Sequence, residues 1–263
     1  MTAAVHWARA LAEWALPEEV VATAPECPYG FAPEVFVDVA RAALDGPLTP
    51  THRRVVEVLS PGGALLDVGC GGGAASLPVA PPARRIVAVD QDPRMLDALV
   101  DLAGGRAEID PVEGRWPDVA DRVGAVDVAV CAHVAYNVAD LAAFVEALTR
   151  LTRRRVVLEL SAVHPQSSVT PLWRRFWGLD RPTGPTAEDA QAVIREATGA
   201  ETSAERWTRT RSFMGDRNAD TVAWMRRRLC LPASADPQVA EAMRDLPELA
   251  PSAIVTLWWP GRA

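Results

Sequence analysis

An apolar segment that ends in an acid and runs into a glycine-rich turn is the part of this 263-residue chain best suited to chemistry. Residues 65–73 read Leu-Leu-Asp-Val-Gly-Cys-Gly-Gly-Gly, and Asp90 ends the next apolar segment. Glycine permits a tight turn with positive φ and lets a ligand approach the backbone closely. We expect the turn to lead into a helix whose first amides are unpaired. The pattern predicts a nucleotide-like cofactor over the carboxyl end of a parallel sheet.

Asp67 helps to decide between two kinds of cofactor that use such a turn. Residues 69–74 also satisfy the loose Gly-x-Gly-x-x-Gly/Ala pattern of dinucleotide-binding folds. An acid two residues before the first glycine would repel a pyrophosphate, whereas it suits a cofactor that carries an ammonium group. Residues 65–73 resemble the first motif of the class I S-adenosylmethionine (SAM) dependent methyltransferases, which reads hydrophobic-hydrophobic-Asp/Glu-hydrophobic-Gly-x-Gly-x-Gly.

The resemblance continues in the same order along the chain. Residues 85–96 resemble the family's second motif, a strand ending in an acid that holds the ribose hydroxyls, followed by a helix. Ionised Asp90 can accept hydrogen bonds from both hydroxyls of a cis diol. Asp92 suits an N-cap, and Pro93 suits the first helical position. The resemblance implies SAM as the cofactor and S-adenosylhomocysteine (SAH) as the product.

Alternating strands and helices define the expected fold. Residues 126–138 resemble the family's fourth strand with its following loop, and residues 153–160 its fifth strand. Apolar positions between them recur at helical spacing. Residues 205–210 and 253–259 favour an antiparallel pair that closes the sheet. We therefore predict an α/β protein with a doubly wound, seven-stranded, mostly parallel sheet.

The resemblance also assigns the site residues. The loop at 113–116 departs from the family, which commonly has Gly-Asp there to bind the adenine amino group, because Arg115 cannot accept that hydrogen bond. Trp116 could stack on the adenine or serve only in packing. The predicted cofactor-binding residues are Asp67, Gly69, Cys70, Gly71, Asp90, Gln91, Arg115, Trp116, Cys131 and Ala132.

His133 is the first candidate for a general base, because the loop after the fourth strand lies beside the methyl group in the family fold. Imidazole titrates near neutrality, which suits proton transfer. A role in shaping the pocket and a role in packing are the alternatives. Tyr136 is the second predicted catalytic residue, and Glu159 is a weaker candidate that could instead cap a strand.

Composition excludes several other function classes. All 27 basic residues are arginine, so pyridoxal Schiff-base chemistry and the phosphate-loop lysine are excluded. The net charge of −7 argues against a nucleic-acid substrate, since phosphate-backbone affinity comes largely from cationic side chains. The four cysteines form no Cys-x-x-Cys pair, and the four histidines show no metal-ligand spacing. We expect a cytoplasmic protein, a monomer or a homodimer, without a metal, a membrane span or a secretory signal.

The flanking segments are expected to select the acceptor. We divide the chain into an N-terminal helical extension at 1–60 and a SAM-binding domain at 61–263. Residues 161–185, which follow the fifth strand, are predicted to form a lid over the substrate. Trp173, Phe176 and Trp177 within it share one helical face, which suits either core packing or an aromatic acceptor.

The sequence thus predicts a SAM-dependent methyltransferase that acts on a small molecule, plausibly an apolar or aromatic metabolite. Three alternatives stay open at this point: a non-catalytic SAM-binding module that works through protein contacts, an RNA methyltransferase, and a nicotinamide-dependent oxidoreductase. Asp67 disfavours the oxidoreductase. Retention of Asp67, the glycines and Asp90 disfavours the non-catalytic module.

Overall fold

The computed structural model describes residues 1–30, 33–209, 218–246 and 252–263. The α-helices in this part of the chain are α1 Ala3–Ala12, α2 Glu18–Val21, α3 Pro33–Asp45, α4 Pro50–Val56, α5 Pro93–Ala103, α6 Leu141–Leu151, α7 Thr170–Trp177, α8 Ala187–Thr198, α9 Ala219–Arg228 and α10 Asp236–Asp245. The strands are β1 Ala64–Val68, β2 Arg85–Asp90, β3 Glu108–Glu113, β4 Val126–Ala132, β5 Thr152–Ser161, β6 Ser203–Arg209 and β7 Ser252–Pro260. Of the described helices, none is long and apolar enough to cross a membrane.

The seven strands form one sheet in the order β3-β2-β1-β4-β5-β7-β6. The pairs from β3 to β5 are parallel, and β7 runs antiparallel to both of its neighbours. The carboxyl ends of β1 to β6 and the amino end of β7 therefore share one edge of the sheet. This arrangement confirms the predicted fold class.

Two apolar cores cover the two faces of the sheet. One core lies on the face covered by α4 and α5 and includes Leu65 of β1 and Val157 of β5. The other lies on the face covered by α6 and α8 and includes Leu66 and Leu158. Because neighbouring residues of a strand point to opposite faces, Asp67 and Glu159 are on the α4 side, as Asp90 is by the same alternation in β2.

A third core joins segments that are far apart in sequence. Val20 of α2, Trp173 of α7, Met225 of α9 and Val239 of α10 are all buried in it. The connection after β5 and the connection between β6 and β7 both leave the sheet at its carboxyl edge. The predicted lid at 161–185 therefore packs with a second insertion, between β6 and β7, in which the sequence predicts two helices but no functional role. We call this third core with its helices the cap.

The N-terminal extension does not pack as one piece. Helix α1 packs on α6 and α8, whereas α3 and α4 lie on the opposite face and α2 joins the cap. Trp7 of α1 is fully buried, and its indole nitrogen donates to the Val138 carbonyl at 2.8 Å. The boundary near residue 60 remains a prediction, but the extension covers both faces of the sheet.

The helix expected after the glycine turn is replaced by turns and a short 3₁₀ helix, Leu77–Val79. Gly73 has a φ of +89°, which a regular helix excludes. Pro78 and the following prolines lack the amide hydrogens that would continue a helix. The expectation that this turn leads directly into a helix was therefore wrong.

A buried arginine connects three parts of the cap. Arg226 of α9 donates from Nη1 to Glu26 at 2.8 Å and from Nε to Asp236 at 3.0 Å. We predict that Arg226→Gln lowers the free energy of unfolding by about 2 kcal/mol, because charge-assisted hydrogen bonds are lost at a buried side chain. Urea unfolding measures this value. The neighbouring Arg227→Gln serves as the control and should change it by less than about 0.5 kcal/mol; equal effects of both variants would contradict the proposed connection.

Candidate functional site

An open cleft of about 250 Å³ lies at the carboxyl edge of the sheet, beside β1, β2 and β4. Its lining comes from the ends of these strands and from the loops that follow β3 and β4. The lining residues are Val68, Gly69, Val89, Asp90, Gln91, Gly114, Arg115, Trp116, Val134, Asn137, Val138 and Phe144.

Asp90 ends β2 at the wall of this cleft. Its Oδ2 accepts the amide of Gly71 and its Oδ1 accepts the amide of Asp92, both at 3.0 Å. The carboxylate thereby connects the glycine turn to the start of α5. Each oxygen retains a lone pair, so Asp90 can also accept the two hydroxyls of a ribose.

Gly69 lets the backbone reach the cleft wall. Its φ is +67°, and its amide donates to the Val89 carbonyl at 2.8 Å. A Cβ at this position would overlap the side chain of Val134. His52 of α4 also fixes the position of this turn. Its Nδ1 accepts the Thr49 amide, so Nε2 carries the hydrogen and donates to the Ala74 carbonyl at 2.9 Å.

Asp67 is the exceptional group of the site. Its side chain is 1% exposed, and neither carboxylate oxygen makes a hydrogen bond of normal geometry among the described residues, although the Ser76 hydroxyl lies close enough to interact with it. Burial, with a smaller contribution from the charge of Asp90, raises the pKa of Asp67 to about 7, and the interaction with Ser76 opposes part of this rise. A buried carboxylate without a partner is costly, so a cationic ligand group at this position would stabilise its ionised form.

The loop after β3 contributes two predicted residues to the cleft lining, Arg115 and Trp116, and Gln91, which directly follows β2, also lines the cleft. Arg115 is exposed at the cleft, and Trp116 is buried with its indole nitrogen donating to the Phe144 carbonyl at 3.1 Å. The Trp116 ring therefore forms part of an apolar wall with Phe144. The departure from the family motif at 115 is located at the cleft itself.

Five of the predicted cofactor residues are not among those that line the cleft: Asp67, Cys70, Gly71, Cys131 and Ala132. Cys70 is buried in the core with α4 and α5, and Cys131 is buried in the opposite core. Burial raises the pKa of both thiols well above the ordinary value. Ala132 packs beside the first of these cores. The two cysteines and Ala132 reach a ligand through their backbone if they reach it at all, and their assignment remains a prediction.

His133 begins the loop after β4 and adopts a φ of +60°, a conformation in which few residues other than glycine are stable. Its amide donates to the Glu159 carbonyl at 2.8 Å, and its Nε2 lies 2.8 Å from Glu159 Oε1. Glu159 therefore holds this histidine from both backbone and side chain. The His133 ring is partly exposed, with 37% of its side-chain surface accessible.

The Glu159 carboxylate is buried but fully partnered. Besides His133, it accepts Thr51 at 2.5 Å and Arg209 at 2.5 Å. Burial alone would raise the pKa of Glu159, but His133, Arg209 and Thr51 together lower it to about 2. Glu159 stays ionised near neutrality, and the stability it supplies above its ordinary pKa is lost as the pH falls toward 2.

Tyr136 lies apart from this group. Its hydroxyl donates to the Ser161 carbonyl at 2.8 Å, and its ring stacks on Trp7 at a centroid distance of 5.5 Å. Burial raises the pKa of Tyr136. These contacts favour packing, so the catalytic assignment of Tyr136 stays a prediction without geometric support.

The sequence interpretation missed how Thr51 and Arg209 assemble around Glu159. One signal was present, because Glu159 interrupts the apolar run Val156-Val157-Leu158-Glu159-Leu160 of a buried strand. A charge at such a position requires partners. Thr51 of α4 lies 108 residues before Glu159, and Arg209 of β6 lies 50 residues after it.

Comparison with known proteins agrees with this geometry. Residues 66–158 match a family model described as a methyltransferase domain. The structure is similar to the YcgJ protein of Bacillus subtilis, with a TM-score of 0.55, 16% identity and coverage of 85% of this chain and 99% of that one. It is also similar to magnesium protoporphyrin IX methyltransferase of Synechocystis, solved with bound SAH, with a TM-score of 0.54, 14% identity and coverage of 97% and 94%. No curated protein matches the chain.

Residues 66–158 are therefore similar to a methyltransferase domain, and the chain shares its fold with solved proteins that include a SAH-bound methyltransferase. The residues present fit SAM as a cofactor. Asp90, which lines the cleft, offers acceptors toward a ribose. Asp67 is not among the lining residues, but it directly precedes Val68 and Gly69, which are, and its buried carboxylate would suit an ammonium group. The apolar wall at Trp116 suits an adenine ring.

We predict that Asp67→Asn raises the stability of the cofactor-free protein but weakens the binding of SAM. Because burial raises the pKa of Asp67 from the ordinary 3.8 to about 7, the unfolded chain releases this proton first, and stability falls as the pH rises through that interval. At about pH 8 the variant should melt at least about 2 °C higher than the wild type without cofactor. It should also bind SAM about tenfold more weakly by calorimetry. A lower melting temperature at this pH would mean that Asp67 already has a partner.

Proposed function

We propose that this enzyme transfers the methyl group of SAM to a small-molecule acceptor, an apolar or aromatic metabolite. The observation that supports this proposal is the cap, whose insertions after β5 and between β6 and β7 both leave the carboxyl edge that bears the cleft. A cap rich in tryptophan can enclose an apolar acceptor and exclude water. The net charge of −7 favours such an acceptor over a nucleic acid.

The residues at the carboxyl ends of β1 and β2 would bind the cofactor. Asp67 would accept the ammonium group and Asp90 the ribose hydroxyls, while Gly69 and Gly71 keep the backbone close to the ligand. Gln91, Arg115 and Trp116 would surround the adenine end. When bound, SAM supplies a methyl group on a sulfonium, which a nucleophilic atom of the acceptor attacks in line.

His133 would act as the general base for an acceptor that loses a proton. Its Nε2 faces the ionised Glu159 carboxylate, so the neutral ring places its hydrogen on Nε2 and leaves Nδ1 free to accept a proton. Glu159 is then a positioning residue that fixes the ring and stabilises its protonated form. Thr51 and Arg209 fix Glu159 in turn.

Methyl-labelled SAM tests the reaction. Phenols, thiols and heteroaromatic amines should be screened for enzyme-dependent label transfer, with the phenols and thiols favoured because they lose a proton on methylation. Asp90→Asn should weaken SAM binding about tenfold, since the ribose contacts are lost, whereas the exposed Asp97→Asn on α5 should not change it. SAM binding without transfer to any member of the panel, but with transfer to RNA, would overturn the small-molecule proposal.

Nitrogen-15 NMR tests the arrangement of His133. The protein has four histidines, and His133→Gln identifies the signal of this one by its loss. We predict that the neutral ring carries its hydrogen on Nε2 alone, because Glu159 accepts that hydrogen. A ring with its hydrogen on Nδ1, or an even mixture, would contradict the assignment.

Turnover provides the second test of His133. In an assay with an acceptor identified by the screen, His133→Gln should reduce turnover by a factor of about 10² to 10⁴, as expected for loss of a general base. Its affinity for SAM should stay within about threefold of the wild type. Unchanged turnover would assign this histidine to pocket shape alone.

A further inference from the structure

Two nitrogen-rich side chains meet in the predicted lid, outside the group around Glu159. His164 follows β5, and Arg181 ends the same insertion. The His164 ring stacks on Trp14 with a centroid distance of 3.8 Å and an interplanar angle of 15°. The Arg181 guanidinium lies over Trp14 at 5.3 Å and over Trp173 at 5.5 Å.

Arg181 has carbonyl partners but no counter-ion among the residues that the structure describes. Its Nη2 donates to the Trp14 carbonyl and its Nη1 to the Ala15 carbonyl at 3.5 Å, whereas the buried Nε has no partner. Within the described ranges, no carboxylate lies at ion-pair distance from Arg181. Burial lowers the pKa of this guanidinium. A partly buried cation held by aromatic rings and two carbonyls still lacks a negative charge.

His164 adds a second donor. The side chain is 8% exposed, and its Nδ1 accepts the Gln166 amide at 3.2 Å. Burial, with the charges of Arg181 and Arg228, lowers the pKa of His164 to about 4, so the ring is neutral near pH 7. The hydrogen then resides on Nε2, which has no hydrogen-bond partner in the described part of the chain. The cluster therefore offers donors and a positive charge between aromatic rings.

This cluster is connected to the cofactor cleft. His164 contacts the ring of Tyr136 edge-on at 5.2 Å. Tyr136 belongs to the loop after β4, whose next residues, Asn137 and Val138, line the cleft. The cluster is therefore on the cap side of the loop that begins with His133.

We propose that Arg181 and His164 bind a carboxylate carried by an aromatic acceptor. The planar guanidinium matches a carboxylate and can donate two parallel hydrogen bonds. The neutral imidazole adds a third donor, while the buried rings of Trp14 and Trp173 hold the guanidinium in place. The carboxylate end would hold the acceptor while the reacting group extends toward His133. This inference rests on the proposed small-molecule methyl transfer.

Ligand-observed saturation-transfer NMR on the SAH-saturated enzyme tests the carboxylate site. The probes are 2-naphthoate and the neutral 2-naphthamide. Naphthoate should bind the wild type, and Arg181→Gln should raise its dissociation constant about tenfold. Naphthamide should bind the wild type about tenfold more weakly than naphthoate does. Absence of naphthoate binding to the wild type, or equal affinity of the two probes, would overturn the proposal.

Two further variants distinguish binding from folding. Arg174→Gln removes an exposed arginine of the same insertion that pairs with Asp180 at the surface, so it should leave naphthoate affinity unchanged. Arg181→Lys keeps the charge without the planar fork and should retain part of the affinity. If Arg181→Gln and the wild type bind naphthoate equally, the site is excluded. Calorimetry with SAH is done in parallel, because loss of SAH binding in the wild type would instead refute the cofactor assignment.

Discussion

Three carboxylates buried or half-buried at one edge of the sheet impose the main physical constraint on this protein. Asp90 and Glu159 lie two residues further along their strands than the level of Asp67, and all three project to the face that α4 covers. Each must find a partner because unpaired buried charge is costly. Backbone amides partner Asp90, and three side chains partner Glu159. Among the described residues, only Ser76 interacts with Asp67, and it does so without a hydrogen bond of normal geometry.

The three acids have different hydrogen-bond partners and therefore different roles. The amides on Asp90 fix the glycine turn against α5, so the cleft exists before a ligand enters. The contacts of Glu159 draw α4, β4 and β6 together and hold His133 in an unusual backbone conformation. The ionised form of Asp67 is destabilised by burial, and a bound cationic group would stabilise it. The cap packs from three distant segments and is attached to the sheet at the edge that bears the cleft.

The sequence was sufficient to predict the fold class, because the motifs that define β1, β2 and the glycine turn are local. It also carries local signals for α8, since Thr186 and Asp189 form a capping box and Gly199 ends the helix. The prediction of a helix after the glycine turn was wrong, because the positive φ of Gly73 and the prolines that follow prevent a regular helix. The Glu159 group and the cap could not be predicted, because their contacts join residues such as Thr51 and Arg209 through tertiary packing alone.

The most direct test of this account is calorimetric binding of SAM at about pH 6 in buffers of different ionisation enthalpy. At this pH the α-amino group of SAM is charged, and Asp67, with a pKa near 7, is mostly protonated. The account predicts binding with release of close to one proton, because Asp67 must ionise to pair with the ammonium group. Binding without proton release would contradict the role of Asp67, and absence of binding would contradict the assignment of the cofactor cleft.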